Sequence, residues 1–218
     1  MSPDSFKAIL FDMDGVIVDS EPRHQRAFKE VFNEIGYGET HGMAFDAYLG
    51  KSDKLLWEDF ITKHKPPQTL QELLDWRQNR FIEIINREKP LFAGIPELVS
   101  DLHKRMPIAV ASGSLHPVID AVLKLQNIRQ YFSAVVSSSD VPQGKPAPDI
   151  FLRAAEELEV EPKDVCVIED SEAGIEAGIR AGMHVIAITN SLPSERLQAA
   201  HHTVDTYAEI RSYLSLPA

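Results

Sequence analysis

The amino-acid sequence predicts an α/β protein: a Rossmann-like, doubly wound parallel sheet interrupted by an all-α insertion. Three observations lead there. Short apolar, β-branched runs at 7–11, 107–111, 134–137, 165–168 and 184–188 each end in polar or glycine residues, as strands buried on both faces do. Helical patterns at 95–106, 116–127, 147–158 and 172–183 separate the later runs, and this alternation places helices on both faces of a parallel sheet. Residues 20–91, by contrast, hold no convincing strand and follow a helical period throughout.

Taken in order, the first strand, Ala8-Ile9-Leu10-Phe11, runs straight into Asp12-Met13-Asp14-Gly15. In the insertion, Ala27, Phe28, Val31, Phe32 and Ile35 mark one face of a helix that begins near Ser20 and stops at Gly36. Two more helices are expected over 53–63 and 70–85, separated by Pro66-Pro67, with Trp57 and Trp76 in their core. Hinges fall around 16–20 and 89–94, the second carrying Pro90 and Gly94. The expected organisation is therefore a core domain of 1–19 and 92–218 and a helical domain of 20–91. Gly174, Gly178 and Gly182 recur every fourth residue on a helix and are expected to let it pack closely on the sheet. The charged neighbours Glu172, Glu176 and Arg180 exclude a membrane-dimer face.

Acidic residues outnumber basic ones 33 to 22, for a net charge of -11 with no polybasic tract. Nucleic acid and anionic membranes are thus poor partners, and the partner expected from the strand-end residues below is a small phosphorylated metabolite. The first residues lack a basic segment followed by a long apolar one, and no apolar run approaches a bilayer span. The single cysteine, Cys166, sits inside Val165-Cys166-Val167-Ile168 and reads as a small core residue. A cytoplasmic location is expected, as a monomer or small homo-oligomer. Most of the eight histidines, including His201-His202, show no metal-ligand spacing and read as surface residues, while His24 reads equally as a solvated side chain or a substrate contact.

In open α/β sheets ligands collect at the carboxyl ends of strands. There the sequence offers Asp12 and Asp14, then Ser112-Gly113-Ser114, then Lys145 before Pro146, and finally Glu169-Asp170-Ser171. Acids, hydroxyls and one lysine on a single rim suit phosphoryl transfer. A phosphoryl group would be repelled by carboxylates alone, so a hard divalent cation such as Mg²⁺ is expected, with Asp12 and Asp170 as its ligands. Lys145 and the donors at 112–114 can hold the remaining phosphate oxygens. A calcium loop starting at Asp12 fails, because Ile17 stands where the glycine is required and Arg23 where the closing glutamate is. Gly50-Lys51-Ser52 is not a nucleotide loop either, since Phe45 takes the place of its first glycine.

Four motifs in order, Asp12-Met13-Asp14-Gly15, Ala111-Ser112-Gly113-Ser114, Gly144-Lys145-Pro146 and Ile168-Glu169-Asp170-Ser171, resemble those of the haloacid dehalogenase superfamily. The match is to the branch containing β-phosphoglucomutase and sugar-phosphate phosphatases. The resemblance implies a Mg²⁺-dependent phosphatase in which Asp12 attacks phosphorus and becomes an aspartyl phosphate. Asp14 would act as acid and base and offer its carbonyl to the metal, with Asp170 and Glu169 completing that site. Ser112, the Gly113 amide and Lys145 would bind the phosphoryl group. The helical insertion resembles the family's small cap, in which His24, Lys51, Ser52 and Arg77 are the expected substrate contacts. An acid at position 14 favours phosphate esters over dehalogenation. Asp53 stands where the mutase cap supplies an arginine, which favours hydrolysis over the alternative, a phosphomutase. A phosphorylatable receiver-like signalling module, the non-enzyme alternative, is shorter and lacks both the insertion and the second acid.

Overall fold

The computed structural model describes residues 6–48 and 53–216. The five apolar runs form β1 (Ala8–Phe11), β2 (Ile108–Ser112), β3 (Ala134–Ser137), β4 (Val165–Glu169) and β5 (His184–Ile188). A sixth strand, β6 (His202–Val204), joins them. All pair in parallel, in the order β3-β2-β1-β4-β5-β6. β1, β2 and β4 are buried along their whole length, which explains why they read as unbroken apolar runs rather than alternating ones. The winding reverses between β1 and β4, where Leu10 lies opposite Val167 and Phe11 opposite Ile168. That switch point is where such sheets bind ligands.

The chain divides into two compact units, Met1–Asp19 with Pro90–Ala218, and Ser20–Lys89. Residues 90 and 91 belong with the sheet because the Asp19 amide donates to the Pro90 carbonyl (2.9 Å), Val18 bridges Leu91, and the Phe92 amide donates to the Ile17 carbonyl (3.1 Å).

The helical unit contains α1 (Glu21–Glu34), α2 (Asp53–His64) and α3 (Leu70–Glu88). The buried face of α1, Phe28, Val31 and Phe32, packs with Leu56, Trp57, Phe60 and Leu73. A capping box of Thr69 and Glu72 starts α3, satisfying two amides that the helix leaves orphaned. Its buried stripe is Leu73, Arg77, Phe81, Ile84 and Ile85. Position 76 falls outside that stripe, so Trp76 is 37% exposed, unlike the fully buried Trp57. His41 also departs from its expected surface setting: it is buried, its ring stacked 4.3 Å from that of Phe32.

The sheet carries α4 (Ile95–His103), α5 (His116–Lys124), α6 (Asp149–Glu157), α7 (Glu172–Arg180) and α8 (Tyr207–Tyr213). Helix α5 ends earlier than its apolar pattern because Gln126 and Asn127 take left-handed φ values of 49° and 57°. Gly178 lets α7 lie on the sheet, since a Cβ there would come within 2.7 Å of Val185 Cγ2. Gly182 serves differently from the packing role expected of it. A Cβ there would meet nothing, and its φ of +76° closes α7, with the Gly182 amide on the Ile179 carbonyl and the Met183 amide on that of Gly178. Among the described residues no helix is long and apolar enough to cross a membrane.

Candidate active site

Each functional side chain is placed by a strand end. The Asp12 amide continues the ladder to the Ile168 carbonyl (3.0 Å), which fixes Asp12 at the lip of the β1–β4 switch point, 7% exposed. Beyond it the chain turns sharply: the Ile17 and Val18 amides both donate to the Met13 carbonyl (2.8 and 3.1 Å). Gly15 is required in that turn. Its φ is +77°, and a Cβ would fall 1.8 Å from Asp170 Oδ2 and 2.5 Å from Ser191 Oγ. The Gly15 carbonyl accepts from the Asn190 side chain (2.8 Å), which also donates to the Tyr207 hydroxyl (2.8 Å). Asp14, one residue earlier and half-buried, accepts a hydrogen bond from the Ser114 hydroxyl at 2.9 Å.

Lys145, from the loop after β3, bridges two acids. Its ammonium bonds Asp12 Oδ1 and, at 2.7 Å, Glu169 Oε1, and it sits 4.7 Å from the ring centroid of Phe151 on α6. Glu169 is 1% exposed and held against the first turn of α7. Its Oε2 accepts from the Asp170 amide (2.8 Å), the Ser171 amide (2.9 Å) and the Ser171 hydroxyl (2.9 Å). Gly174 makes room for this, since a Cβ there would lie 1.6 Å from Glu169 Oε1. A carboxylate at a helix N-terminus is favoured by the helix dipole, and here it anchors the lysine. With both oxygens so engaged, Glu169 lies behind Lys145 rather than open to a metal.

The charges do not balance. Burial pushes the Asp12 carboxyl well above the usual range; Lys145 opposes the rise, and Glu169, Asp170 and Asp14 add to it. Burial, reinforced by Glu169, raises Asp170 to about 7, although the Ser191 hydroxyl bonds it. Burial disfavours the Lys145 ammonium, yet Asp12 and Glu169 outweigh it and move its pKa up. One ammonium thus faces the buried acids Asp12, Glu169 and Asp170, with Asp14 beside them. Among the described residues no three His, Cys, Asp or Glu side chains are clustered as a metal cage. The arrangement suits instead a hard cation that takes one or two carboxylates and fills its shell with carbonyl, water and phosphate oxygens, as Mg²⁺ does.

The expected core residues Asp12, Asp14, Ser112, Gly113, Lys145, Glu169 and Asp170 all lie at or just beyond the carboxyl ends of the strands. Ser112 is buried at the end of β2, its hydroxyl accepting the Ser114 amide (3.0 Å), and Gly113 is exposed. In the helical unit, Arg77 is not an open contact: it is 5% exposed, paired with Asp53 at 2.9 Å and bonded to His24 Nδ1. Its guanidinium lies 4.8 and 5.3 Å from the ring centroids of Phe28 and Phe81, and the His24 ring stacks on Phe81 at 4.0 Å. Lys51 and Ser52 lie outside the described residues. Sequence reasoning passed over Ser114's bond to Asp14, Phe151 under Lys145, and the trio Asn190, Ser191 and Tyr207. Asn190 and Ser191 follow β5, so the strand-end rule could have found them; nothing in the sequence points to Tyr207.

The chain belongs to the haloacid dehalogenase-like hydrolases, whose family pattern matches residues 6–182. It is 31% identical over 187 residues to the fructose-1-phosphate phosphatase YqaB of Escherichia coli K12, covering 84% of this chain and 96% of that protein. It is 32% identical over 201 residues to the β-phosphoglucomutase of Bacillus subtilis 168, covering 86% and 85% of the two chains. CbbY from Rhodobacter sphaeroides, solved in complex with phosphate, matches the fold with a TM-score of 0.82 at 26% identity, over 97% of this chain and 100% of that one.

Proposed function

We propose that this protein is a Mg²⁺-dependent phosphatase acting on a small phosphorylated carbohydrate, a sugar or polyol phosphate, through an aspartyl phosphate on Asp12. The observation that carries this reading is Asp12 itself: a buried carboxylate at the switch point, held by Lys145, with the acid Asp14 two residues on. Lys145, the Ser112 hydroxyl and the Gly113 amide bind the phosphoryl oxygens and orient phosphorus toward Asp12. A carboxylate oxygen of Asp12 attacks phosphorus as the bond to the substrate oxygen breaks, and Asp14 gives that oxygen its proton. Asp14 then takes a proton from the water that attacks the aspartyl phosphate; inorganic phosphate leaves and Asp12 is regenerated. Asp12, Asp170 and the Asp14 carbonyl are the residues that would hold Mg²⁺, whose charge, when bound, offsets that of the phosphate.

The carbohydrate class rests on the similarity to the fructose-1-phosphate phosphatase. Hydrolysis is preferred over isomerisation because Asp53 brings a negative charge where a mutase cap supplies an arginine and also occupies Arg77. We assign the helical unit the role of the family's cap. The test is a phosphate-release screen with Mg²⁺ across sugar phosphates, polyol phosphates, phosphoglycolate, nucleotides and pyrophosphate. Release from a sugar or polyol phosphate without added bisphosphate is expected. Bisphosphate-dependent isomerisation with little release would establish the phosphomutase instead.

A further inference from the structure

Three of the eight histidines meet at the amino ends of β5 and β6, on the side of the sheet away from the reactive rim. His184 opens β5, His202 opens β6 and His201 precedes it. The centroid of the His184 ring lies 4.5 Å from that of His201 and 5.1 Å from that of Phe6, and its Nε2 is bonded to the Tyr213 hydroxyl at the end of α8 (3.0 Å). The Tyr213 ring in turn stacks on His202 at 4.4 Å. His201 does more than pack. Its amide donates to the Val185 carbonyl (3.0 Å) and the Val185 amide donates to its Nδ1 (3.1 Å), so the ring stands in for a strand carbonyl one residue before the ladder begins at Ile186 and His202.

Nothing around this stack favours a positive charge. Among the described residues no carboxylate bonds any of the three imidazoles. Cys166, the β4 partner of His184, and Tyr213 face them, and burial raises both groups, so both stay neutral. The nearby charges are engaged elsewhere: Lys7 pairs with Asp164 (2.7 Å), Arg211 with Asp101 (2.8 Å), and Glu209 caps α8. Burial holds the His184 imidazole down at about 4, and His201, the α-amino group and His202 act in the same direction. Protonating His201 disrupts the ladder as well, because an imidazolium has no acceptor for the Val185 amide.

We propose that the stack of His184, His201, His202 and Tyr213 is a proton-operated latch, which holds β6 and α8 on the sheet while its imidazoles are neutral and releases them in acid. The opened edge takes up protons that the closed one excludes, so a falling pH shifts the balance toward opening. The latch sits where the sheet is weakest, since β6 is an edge strand of three residues with only Val204 buried.

Native-state hydrogen exchange on the full chain tests this, read at the amides of 202–213 at pH 8 and pH 5 and corrected for intrinsic exchange. Amides of β1 and β4 are followed in the same samples, because the buried carboxyls at the other rim give global opening a pH dependence of their own. Relative to those strands, wild-type protection over 202–213 is expected to fall about 30-fold at pH 5, the factor that follows when His184 binds its proton at about 4 in the closed edge and at 6.5 in the open one. His184→Phe keeps a ring in the stack and cannot be charged, and its protection is expected to change less than about threefold. NMR titration of the wild-type imidazoles, which needs no variant to fold, should find His184 largely neutral down to about pH 5. Wild-type protection that is the same at both pH values, a His184→Phe protein that keeps the wild-type dependence, or a His184 ring that titrates at the ordinary value of about 6.5 would each overturn the latch. Phosphate release enters none of these readouts, so failure of the phosphatase reading leaves them unaffected.

Discussion

A cation is buried in each of the two units, and the two are neutralised in opposite ways. Arg77 of the helical unit spreads a planar guanidinium over two phenyl rings, bonds a histidine and pairs with the half-exposed Asp53. Lys145 of the sheet unit is a compact ammonium set between Asp12 and Glu169, with Asp170 buried nearby. Arg77 is paired with a carboxylate that reaches solvent, whereas Lys145 is set among acids that are themselves buried. A buried cation is therefore not in itself the mark of a reactive centre. The uncompensated charge around it is, because that excess is a standing attraction for a metal ion and, through it, for a phosphate.

The largest expected effect separates the units by chemistry. Asp12→Asn should cut phosphate release by at least about 10³-fold while the melting temperature holds, because the substitution removes a charge that burial disfavours. Turnover that survived in steady-state assays would remove the nucleophile from the sheet unit.

Chelation comes next and carries a pH signature. Removing Mg²⁺ should abolish turnover. Asp170 has a folded pKa raised to about 7, against an unfolded value of about 3.9. Between those values the folded state binds more protons than the unfolded one, so the metal-free protein should lose stability as pH rises from about 4 to about 7. Thermal melts with EDTA should show that decline, and Mg²⁺ should reverse it most strongly above pH 7. A metal-free protein that became more stable with rising pH over this window would contradict the charge excess.

Lys145→Met and Arg77→Met compare the two cations directly. The first should lower kcat about 10²-fold or more, as loss of a group aimed at the transferring phosphate does, and destabilise by about 3 kcal/mol by leaving buried acids unpaired. The second should cost about 1–3 kcal/mol in denaturant unfolding, less than the full buried-pair penalty because Asp53 can turn to water. Its kcat should fall far less. Similar losses of kcat would erase the distinction.

The smallest effects come from two glycines of α7. Gly174→Ala drives a Cβ onto Glu169 and should cost about 1–3 kcal/mol together with part of the activity, since Lys145 loses its anchor. Gly182→Ala meets no neighbour but keeps a left-handed φ, so about 1 kcal/mol of stability and no activity should be lost.

The first five strands and the polar residues that gather at their ends were legible for one physical reason. Strands buried on both faces read as unbroken apolar runs, and parallel strands deliver their carboxyl ends to one rim. The same logic fails for β6, which is three residues long with only Val204 buried. Helix α8 was missed despite a readable capping box, Thr206 to Glu209. Arg77 read as an exposed contact because a charged residue is rarely buried without a partner. Its partner, Asp53, comes from another helix, and sequence spacing does not show which helices face each other. The bond from Ser114 to Asp14 crosses one hundred residues of chain. Such contacts belong to tertiary structure and leave no local trace.

The position of β1 inside the sheet bears on how the molecule is made. Its two neighbours begin at Ile108 and Val165, so during translation the first strand waits on the order of ten seconds for the second of them. Until β2 follows, a ribosome-bound chain exposes an apolar segment with no ladder to join, and until β4 follows only one of its two edges can be paired. The nascent chain also carries Asp12, the proposed nucleophile, long before Lys145 and Asp170 exist. On the proposed mechanism, a chain that ends before the fourth strand cannot hydrolyse a phosphate ester.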